Sequence, residues 1–365
     1  MSNANGLEDV IAAETVLSDV DGLGGRLIIR GVSLDELIDG GRYEDVVALL
    51  LEGQFADLPE GAELQAALGA ARVAVYAHLQ QAGTSVADLP LFDGMRALTA
   101  RLPDDLSLSS ALQLIAAPAV FTTGILRLKT GQAPVKPDAS LSHAADILRM
   151  HQGKPPHPQQ VAALDRYLLT VTDHGLNAST FTARVVASTA AGLTSSALAA
   201  LGALKGPLHG GAPGPVLDML DAIGTPSEAE PWLEGALARG DRLMGFGHRI
   251  YRVRDPRADA LKGALRGLAR EGAIDPARLS LAESVEAAAL VLLARAKPDR
   301  ALETNVEFYT ALLLEALGFP REAFTCVFAM GRTTGWIAHA MEQAATGRLI
   351  RPRARYVGPM PKKVA

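Results

Sequence analysis

The sequence has little cysteine, few aromatic side chains and no excess of positive charge. Its 365 residues include one cysteine, Cys326, so no disulfide forms within the chain, and we expect a reducing, cytoplasmic location. Lysine and arginine number 35 against 40 aspartates and glutamates. Because nucleic-acid-binding surfaces carry a basic excess, we expect no nucleic-acid partner. A basic stretch followed by an apolar one is absent from the start of the chain, so we expect no signal peptide.

Strand-forming patterns are also scarce. Aromatic residues make up 5% of the chain, whereas the strong helix formers alanine, leucine, glutamate and arginine are abundant. The clearest strand candidate is residues 27–29, just before Arg30-Gly31. The sequence therefore predicts an all-α protein. A length of 365 residues is typical of about two domains.

Two uncharged stretches, residues 106–126 and 185–204, approach the roughly 20 residues that a membrane span requires. Both contain many small or hydroxyl-bearing residues, so we predict buried helices and no membrane partner. The second lies within a helical pattern that covers residues 179–204. Its small side chains would let another helix approach closely, either within one subunit or in a second copy of the chain.

His209 lies in the glycine-rich segment GPLHGG, residues 206–211. Gly210 and Gly211 would let a ligand approach the backbone, and a helix is predicted to start near Pro213. A helix N-terminus disfavours a cationic imidazole, and a neutral imidazole can donate a hydrogen bond to a carbonyl oxygen that gains negative charge. The alternative is a turn histidine without a function.

His248 precedes a cluster of arginines in the segment MGFGHRIYRVRDPR. The cluster consists of Arg249, Arg252, Arg254 and Arg257. Arginine offers a planar pair of donors that suits carboxylates and phosphates, so the segment predicts a small anionic ligand. A solvated basic surface is the alternative.

Glu307 stands at a predicted helix start between two apolar residues, Val306 and Phe308. It is either an ordinary surface carboxylate or a half-buried one that could act as a base. The histidines show no HxxxH or HExxH spacing, and Cys326 lies in an apolar helical pattern. We therefore predict no metal site and no cysteine nucleophile.

Seven motifs together resemble the citrate synthase family over nearly the whole chain. In order they are GLEDVIAAETVLSDVDGLGGRLIIRG, DHGLNASTFTAR, GPLHGG, MGFGHRIYRVRDPRA, TNVEFY, GRTTGW and LIRPRARYVG. The resemblance includes the short bacterial form and the actinobacterial second citrate synthases, which also read ETNVEF. It implies condensation of acetyl-CoA with oxaloacetate and hydrolysis of citryl-CoA to citrate and CoA, at the start of the tricarboxylic acid cycle. It implies acetyl-CoA as a co-substrate and no permanently bound cofactor or metal.

The resemblance also implies an all-α homodimer with two domains. The large domain would comprise residues 1–211 and 319–365, and the small domain residues 212–318. The active site would lie in the cleft between them, with one arginine supplied by the partner subunit. Because the chain begins near the first motif, we expect no N-terminal region for control by NADH.

By the same resemblance, His209 polarises the thioester carbonyl and Glu307 removes the methyl proton of acetyl-CoA. His248 donates a hydrogen bond or a proton to the ketone oxygen of oxaloacetate. The residues that match oxaloacetate ligands are His174, Arg257, Arg332 and, from the partner subunit, Arg351. Arg252 matches a contact to a CoA phosphate, and Asn305 lies in a motif on the CoA side.

The sequence departs from the family at Glu307, where most members carry aspartate. One additional methylene displaces the carboxylate by about one C–C bond unless the backbone adjusts, and catalysis is sensitive to such shifts. Two alternatives to citrate synthesis therefore stay open. The first is 2-methylcitrate synthase, which uses propionyl-CoA, because one methyl group is worth only about 1–3 kcal/mol of discrimination. The second is a weakly catalytic relative with a binding or regulatory role.

Overall fold

The structure is a computed structural model of one chain that describes residue 7 and residues 10–210, 213–248, 250–300 and 302–360. These residues form fifteen α-helices and three short strands. The helices are α1 (Leu34–Ile38), α2 (Tyr43–Leu51), α3 (Gly61–Ala82), α4 (Leu91–Thr99), α5 (Leu108–Lys129), α6 (His143–Gln152), α7 (Pro158–Val171), α8 (Ala178–Ala187), α9 (Leu193–Leu204), α10 (Pro213–Ile223), α11 (Ala229–Ala238), α12 (Pro256–Arg270), α13 (Pro276–Ala296), α14 (Val306–Ala316) and α15 (Phe324–Thr346). The expectation of an all-α fold is confirmed.

The three strands form a small antiparallel sheet near the start of the chain. They are β1 (Ser18–Asp21), β2 (Arg26–Ile29) and β3 (Val32–Ser33), in that order across the sheet. The sequence predicted the middle strand alone. The other two were missed because β1 reads SDVD and β3 has two residues, so neither shows an alternating apolar pattern. The turn after β1 reaches the predicted site, since the Arg252 N–H donates to the Gly22 carbonyl at 2.8 Å.

Two helices that carry predicted site residues, α12 and α14, and the helix that follows His174, α8, begin at residues whose side chains cap them. Asn177, Asp255 and Asn305 accept hydrogen bonds from the first-turn N–H groups of α8, α12 and α14. Such caps satisfy backbone donors that have no partner within the helix. The caps fix where each helix begins, and hence where the residues just beyond the caps lie.

The helix predicted over residues 179–204 is in fact two helices. It is interrupted between α8 and α9, where Ala190 adopts a φ of +65°. At the start of α9, a Cβ on Gly192 would lie 2.3 Å from the Asp104 carboxylate, so this close approach requires glycine. The run of small residues concealed the break because a single glycine within a helical pattern, such as Gly192, does not by itself show that the helix ends.

The central helix of the core is α15, which packs against α5, α7, α8 and α9. Three large polar or aromatic side chains of α15, Arg332, Trp336 and His339, are each at most 1% exposed. Among the described residues, α5 is long and apolar enough to cross a membrane, but 83% of its most apolar window is buried inside the protein. A helix in the core of a protein can be long, apolar and buried in this way, and the sequence predicted a buried helix for residues 106–126.

The division into two domains stays a prediction. Its first boundary falls at residues 211 and 212, which lie outside the described residues. Helix α12, in the proposed small domain, packs against α13 and α14 of that domain and against α1 and α7 of the proposed large domain.

Candidate active site

Three of the predicted oxaloacetate-site residues lie together around Tyr251. The rings of His174 and His248 are 5.5 Å apart, and the Tyr251 hydroxyl lies 3.3 Å from His174 Nε2. Arg257 Nη2 lies 3.2 Å from His248 Nε2, with its guanidinium 5.8 Å from the Tyr251 ring centre. The sequence analysis did not single out Tyr251, although it stands inside the MGFGHRIY motif.

The hydrogen bonds of His248 fix which ring nitrogen carries the proton. Its Nδ1 accepts the backbone N–H groups of Ile250 and Tyr251, both at 3.0 Å. The neutral ring therefore carries its proton on Nε2, which faces Arg257. Two donors that face one another at 3.2 Å favour an oxygen anion beside them, within hydrogen-bond reach of both. Burial, followed by the charge of Arg257, lowers the pKa of His248 to about 4.

Arg257 is held in place by Asp255, which caps the same helix. Asp255 Oδ1 accepts from Arg257 Nε at 3.0 Å, and Oδ2 accepts from Nη2 at 2.9 Å. Both side chains are at most 5% exposed. Asp255 Oδ2 also accepts the Val306 N–H at 3.1 Å. Asp255 was not among the predicted site residues, although an aspartate before a proline is a signal of a helix start.

Arg332 is a buried arginine on α15 close to the same site. Its Nε donates to the Val171 carbonyl at 2.6 Å, and its guanidinium lies 4.8 Å from the Phe328 ring centre. Burial lowers its pKa to about 10; Asp173 opposes that shift and Arg257 adds to it. Burial and the charges of both arginines hold the pKa of His174 well below its usual range. The site therefore has a positive potential that suits a ligand with more than one carboxylate.

His209 is oriented by a residue that the sequence analysis did not identify, Ser179. The Ser179 hydroxyl lies 2.7 Å from His209 Nε2 and accepts from Trp336 Nε1 at 3.0 Å. The pKa of His209 falls to about 4, chiefly because the ring is buried and secondly because Arg332 is near. The prediction of a neutral imidazole is supported, but its cause is burial rather than the helix that starts at Pro213. Gly211, part of the same motif, lies outside the described residues.

Glu307 is the second residue of α14, and its pKa is raised to about 7. Burial is the main cause, opposed by Arg257. Its backbone N–H donates to the cap residue Asn305, Oδ1, at 3.0 Å. Asn305 Nδ2 donates to the Gly247 carbonyl at 2.9 Å, and its N–H to the Gly245 carbonyl at 2.9 Å. Asn305 thus joins the loop before His248 to the helix of Glu307.

Glycine is required where this loop crosses the helix. Gly245 has a φ of +86°, and a Cβ there would lie 2.7 Å from the Phe308 ring. Any other residue would push the loop away from α14, and with it His248. Two predicted residues, Arg252 and Arg351, have exposed side chains. The charge of Arg252 adds to the lowering of the pKa of His248. Arg249 lies outside the described residues.

The comparison with known families agrees with the motifs and their arrangement. The family model "Citrate synthase, C-terminal domain" matches residues 6–353. The chain belongs to the citrate synthase family. Membership makes it an enzyme of the acyltransferase class, and it confirms the resemblance inferred from the sequence.

Known citrate synthases align with almost the whole chain. A relative from Mycobacterium tuberculosis, provisionally named citrate synthase 2, is 40% identical over 98% of this chain and 93% of its own. The citrate synthase of Haloferax volcanii is 37% identical over 97% of this chain and 95% of its own. A solved structure of the Thermoplasma acidophilum citrate synthase, a ternary complex with carboxymethyl coenzyme A and oxaloacetate, superposes with a TM-score of 0.86. It is 30% identical and covers 100% of this chain and 98% of its own.

Proposed function

We propose that this citrate synthase condenses acetyl-CoA with oxaloacetate and hydrolyses citryl-CoA to citrate and CoA. The observation that carries the proposal is the pair of converging donors, His248 Nε2 and Arg257 Nη2, 3.2 Å apart. Two facing donors leave a place for an oxygen atom of the ligand. The half-buried carboxylate of Glu307 lies close enough to Arg257 that the positive charge of the arginine lowers its pKa, in opposition to burial. The site thus combines an anion-binding side with a base.

Oxaloacetate binds through its two carboxylates and its ketone oxygen. Arg257 and Arg332 are buried cations that can pair with the carboxylates, and His174 adds a neutral imidazole beside them. Arg351 from the partner subunit supplies a further cation. The oxaloacetate named in the Thermoplasma acidophilum complex supports this ligand. Paired and buried charges of this kind contribute specificity as well as affinity.

The first chemical step removes a proton from the acetyl methyl group. Glu307 takes the proton, and the electron pair moves into the thioester carbonyl to give an enolate. His209 stabilises the enolate oxygen by donating from Nδ1. It can do so when Ser179 donates its single hydroxyl proton to Nε2 rather than to Asn177 Oδ1, which lies 2.8 Å from the same hydroxyl, because the neutral ring then carries its own proton on Nδ1. The base and the donor act together because the methyl proton is weakly acidic.

The second step forms the carbon–carbon bond. The enolate carbon attacks the ketone carbon of oxaloacetate, and the electron pair of the C=O bond moves to the ketone oxygen. His248 donates a hydrogen bond or a proton from Nε2 to that oxygen, and the proton that Glu307 took up balances the one that the oxygen gains. The product is citryl-CoA. Water then adds to the thioester carbonyl, the C–S bond breaks, and the sulfur leaves as the CoA thiol. Citrate is released as a tricarboxylate.

The remaining assignments follow the family. Arg252, which is exposed, contacts a CoA phosphate. Asn305 acts on the CoA side by positioning Glu307, since both ends of its side-chain amide are bonded within the protein. Residues 1–211 and 319–365 form the large domain and residues 212–318 the small domain, whose closure would exclude water before condensation. The enzyme works as a cytoplasmic homodimer.

The choice of acyl donor separates this proposal from 2-methylcitrate synthesis. Glutamate at 307 is one methylene longer than the family's aspartate, which leaves less room beside the acyl methyl group. Steady-state assays with oxaloacetate and either acetyl-CoA or propionyl-CoA test the choice directly. We expect a higher kcat/KM for acetyl-CoA, with citrate as the product. A higher value for propionyl-CoA would favour 2-methylcitrate synthase, and very slow release of CoA from both would favour the weakly catalytic relative with a binding or regulatory role.

A further inference from the structure

The C-terminal segment after α15 carries Arg351, which we have proposed to act in the partner's active site. The present inference rests on that proposed role. The segment turns away from α15 at Gly347, whose N–H donates to the Gln343 carbonyl at 2.8 Å. Gln343 Nε2 then donates to the Arg348 carbonyl at 3.0 Å. Gln343 therefore determines the direction in which the segment leaves the helix.

The same segment has a second attachment at the end of α8. The Ile350 N–H donates to the Ser188 hydroxyl at 3.0 Å. Ser188 directly follows α8, and the last turns of that helix also contain Arg184. Ile350, next to Arg351, is thus bonded to the end of α8, and Arg348 is bonded to α15. The relative placement of these two helices therefore determines the direction of the segment.

Arg184 bonds to three acceptors on α15, which are spaced so that they share one face of the helix. Its Nε donates to Gln343 Oε1 at 3.0 Å, and its Nη1 donates to Glu342 at 2.5 Å and to His339 Nδ1 at 3.0 Å. Arg184 is 3% exposed and Gln343 is 4% exposed. A single buried guanidinium therefore fixes α8 against α15 and orients the very amide that turns the segment. Its planar set of donors is needed for this geometry.

The network is anchored in the core at its other end. Because arginine can only donate, His339 Nδ1 accepts, and His339 Nε2 donates to Asp173 Oδ2 at 3.1 Å. Asp173 also accepts from the Ser18 hydroxyl. Both His339 and Asp173 are fully buried. Arg184 is therefore linked through His339 to the buried Asp173, and through Gln343 to the C-terminal segment.

We propose that Arg184 is a positioning residue for the active site of the neighbouring subunit. It fixes the exit of the C-terminal segment so that Arg351 reaches the partner's oxaloacetate. A residue in the core of one subunit would then determine affinity in the other. The alternative is a purely local role, in which Arg184 supports only its own subunit through Asp173 and the adjacent His174.

Arg184→Lys is the primary test, because lysine keeps the charge beside Glu342 but cannot span all three acceptors. We expect kcat/KM for oxaloacetate to fall by about 10- to 100-fold, mostly through KM, since a misplacement of about 1 Å has effects of this size. Gly347→Ala is the second variant. A Cβ there would lie 1.9 Å from Gln343 Nε2 and 2.5 Å from its carbonyl oxygen, so it redirects the segment without touching Arg184.

Hybrid dimers distinguish action across the interface from action within one subunit. Each variant is coexpressed with Glu307→Gln under two different affinity tags, and the hybrid is purified through both. In the hybrid, the Arg184→Lys subunit keeps its own Glu307 and receives the C-terminal segment of a chain with an intact Arg184. We expect about half of the wild-type activity, because one of two equivalent sites is complete. Activity no higher than that of the two parent homodimers would overturn the inference.

Two further pairs complete the experiment. Arg351→Leu with Glu307→Gln tests the proposed function: if this pair recovers no activity, both the role of Arg351 and the inference fail. If it recovers activity and the Arg184→Lys and Gly347→Ala pairs do not, the inference alone fails.

Arg72→Lys is the matched control, since Arg72 is also buried and paired, with Asp146 at 2.8 Å. If the Arg72→Lys homodimer is less active than wild type, the hybrid of Arg72→Lys with Glu307→Gln should not recover the lost activity.

Discussion

The carboxylate of Asp255 accepts two hydrogen bonds from the guanidinium of Arg257, at 3.0 Å from Nε and 2.9 Å from Nη2. The same carboxylate accepts the N–H of Val306 at 3.1 Å, one residue before Glu307. One buried side chain therefore holds both the proposed oxaloacetate ligand and the helix of the proposed base. Binding and proton abstraction share this support.

Asp255→Asn should impair both functions at once. It removes the charge that pairs with a buried arginine, and its amide cannot accept all of the hydrogen bonds. We expect kcat/KM for oxaloacetate to fall by about 100-fold, with a rise in KM and a fall in kcat. Asp259→Asn is the control, because that exposed carboxylate on the same helix pairs with the exposed Arg254 and should contribute about 0–1 kcal/mol. Steady-state parameters of Asp255→Asn within twofold of wild type would contradict this role.

Arg332→Leu should weaken oxaloacetate binding by about 2–5 kcal/mol, because a ligand carboxylate loses a buried partner. In the free protein the Arg332 side chain donates to the Val171 carbonyl, and burial depresses its pKa to about 10. The substitution also leaves the Val171 carbonyl without its donor and removes a charge that lowers the pKa of the buried Asp173, so the unliganded enzyme should lose some thermal stability as well. Titration calorimetry measures the affinity, and Arg266→Leu, at an exposed pair, serves as the control. Unchanged affinity would exclude Arg332 as a ligand.

The pH dependence of kcat/KM for acetyl-CoA should show one ionisation near pH 7. Burial disfavours the charged form of Glu307 and raises its pKa to about 7, so the carboxylate needed as a base predominates only above that pH. His209 and His248, with pKa values of about 4, stay neutral throughout. Between about pH 5 and pH 9 we therefore expect activity to rise and then level off. A flat profile, or one that falls as the pH rises, would be inconsistent with Glu307 as the base.

Glu307→Asp should lower kcat rather than raise it. The cap formed by Asn305 and the bond from Val306 to Asp255 fix the backbone at the start of α14. A shorter side chain therefore leaves the carboxylate about one methylene from the acyl methyl group, and we expect a loss of about 10- to 100-fold. Steady-state turnover at saturating oxaloacetate measures it. A gain in kcat would mean that Glu307 is a deviation from an aspartate enzyme to which the site has not adapted.

The sequence predicted much of the fold because its helices have clear punctuation. The pair Gly40-Gly41 lies between α1 and α2, and Ser33 and Glu36 form a capping box at the start of α1. The break between α8 and α9 was not predicted, since it depends on the close approach of Gly192 to Asp104, which is distant in sequence. Tertiary contact, rather than local propensity, determines that boundary.

Some of the site residues could be identified from the sequence, and others could not. His174, His248 and Arg257 were identified from motifs, and the structure brings them together. Ser179 and Asp255 were missed because each acts through another side chain, and a single serine or aspartate carries no distinctive pattern. The cause of the low pKa of His209 also could not be read from the sequence, because burial depends on the whole fold. Residues that position others require coordinates to be found.

The proton abstraction by Glu307 is tested most directly by hydrogen exchange at the acetyl methyl group. Acetyl-CoA is incubated in deuterated water with an unreactive oxaloacetate mimic, so that exchange is measured without condensation. The wild-type enzyme should incorporate deuterium. Glu307→Gln, which keeps the side-chain size and removes the basic oxygen, should exchange about 10²–10⁴-fold more slowly while still binding the mimic. Equal exchange by the two proteins would mean that another group removes the proton, and the assignment of Glu307 as the base would be wrong.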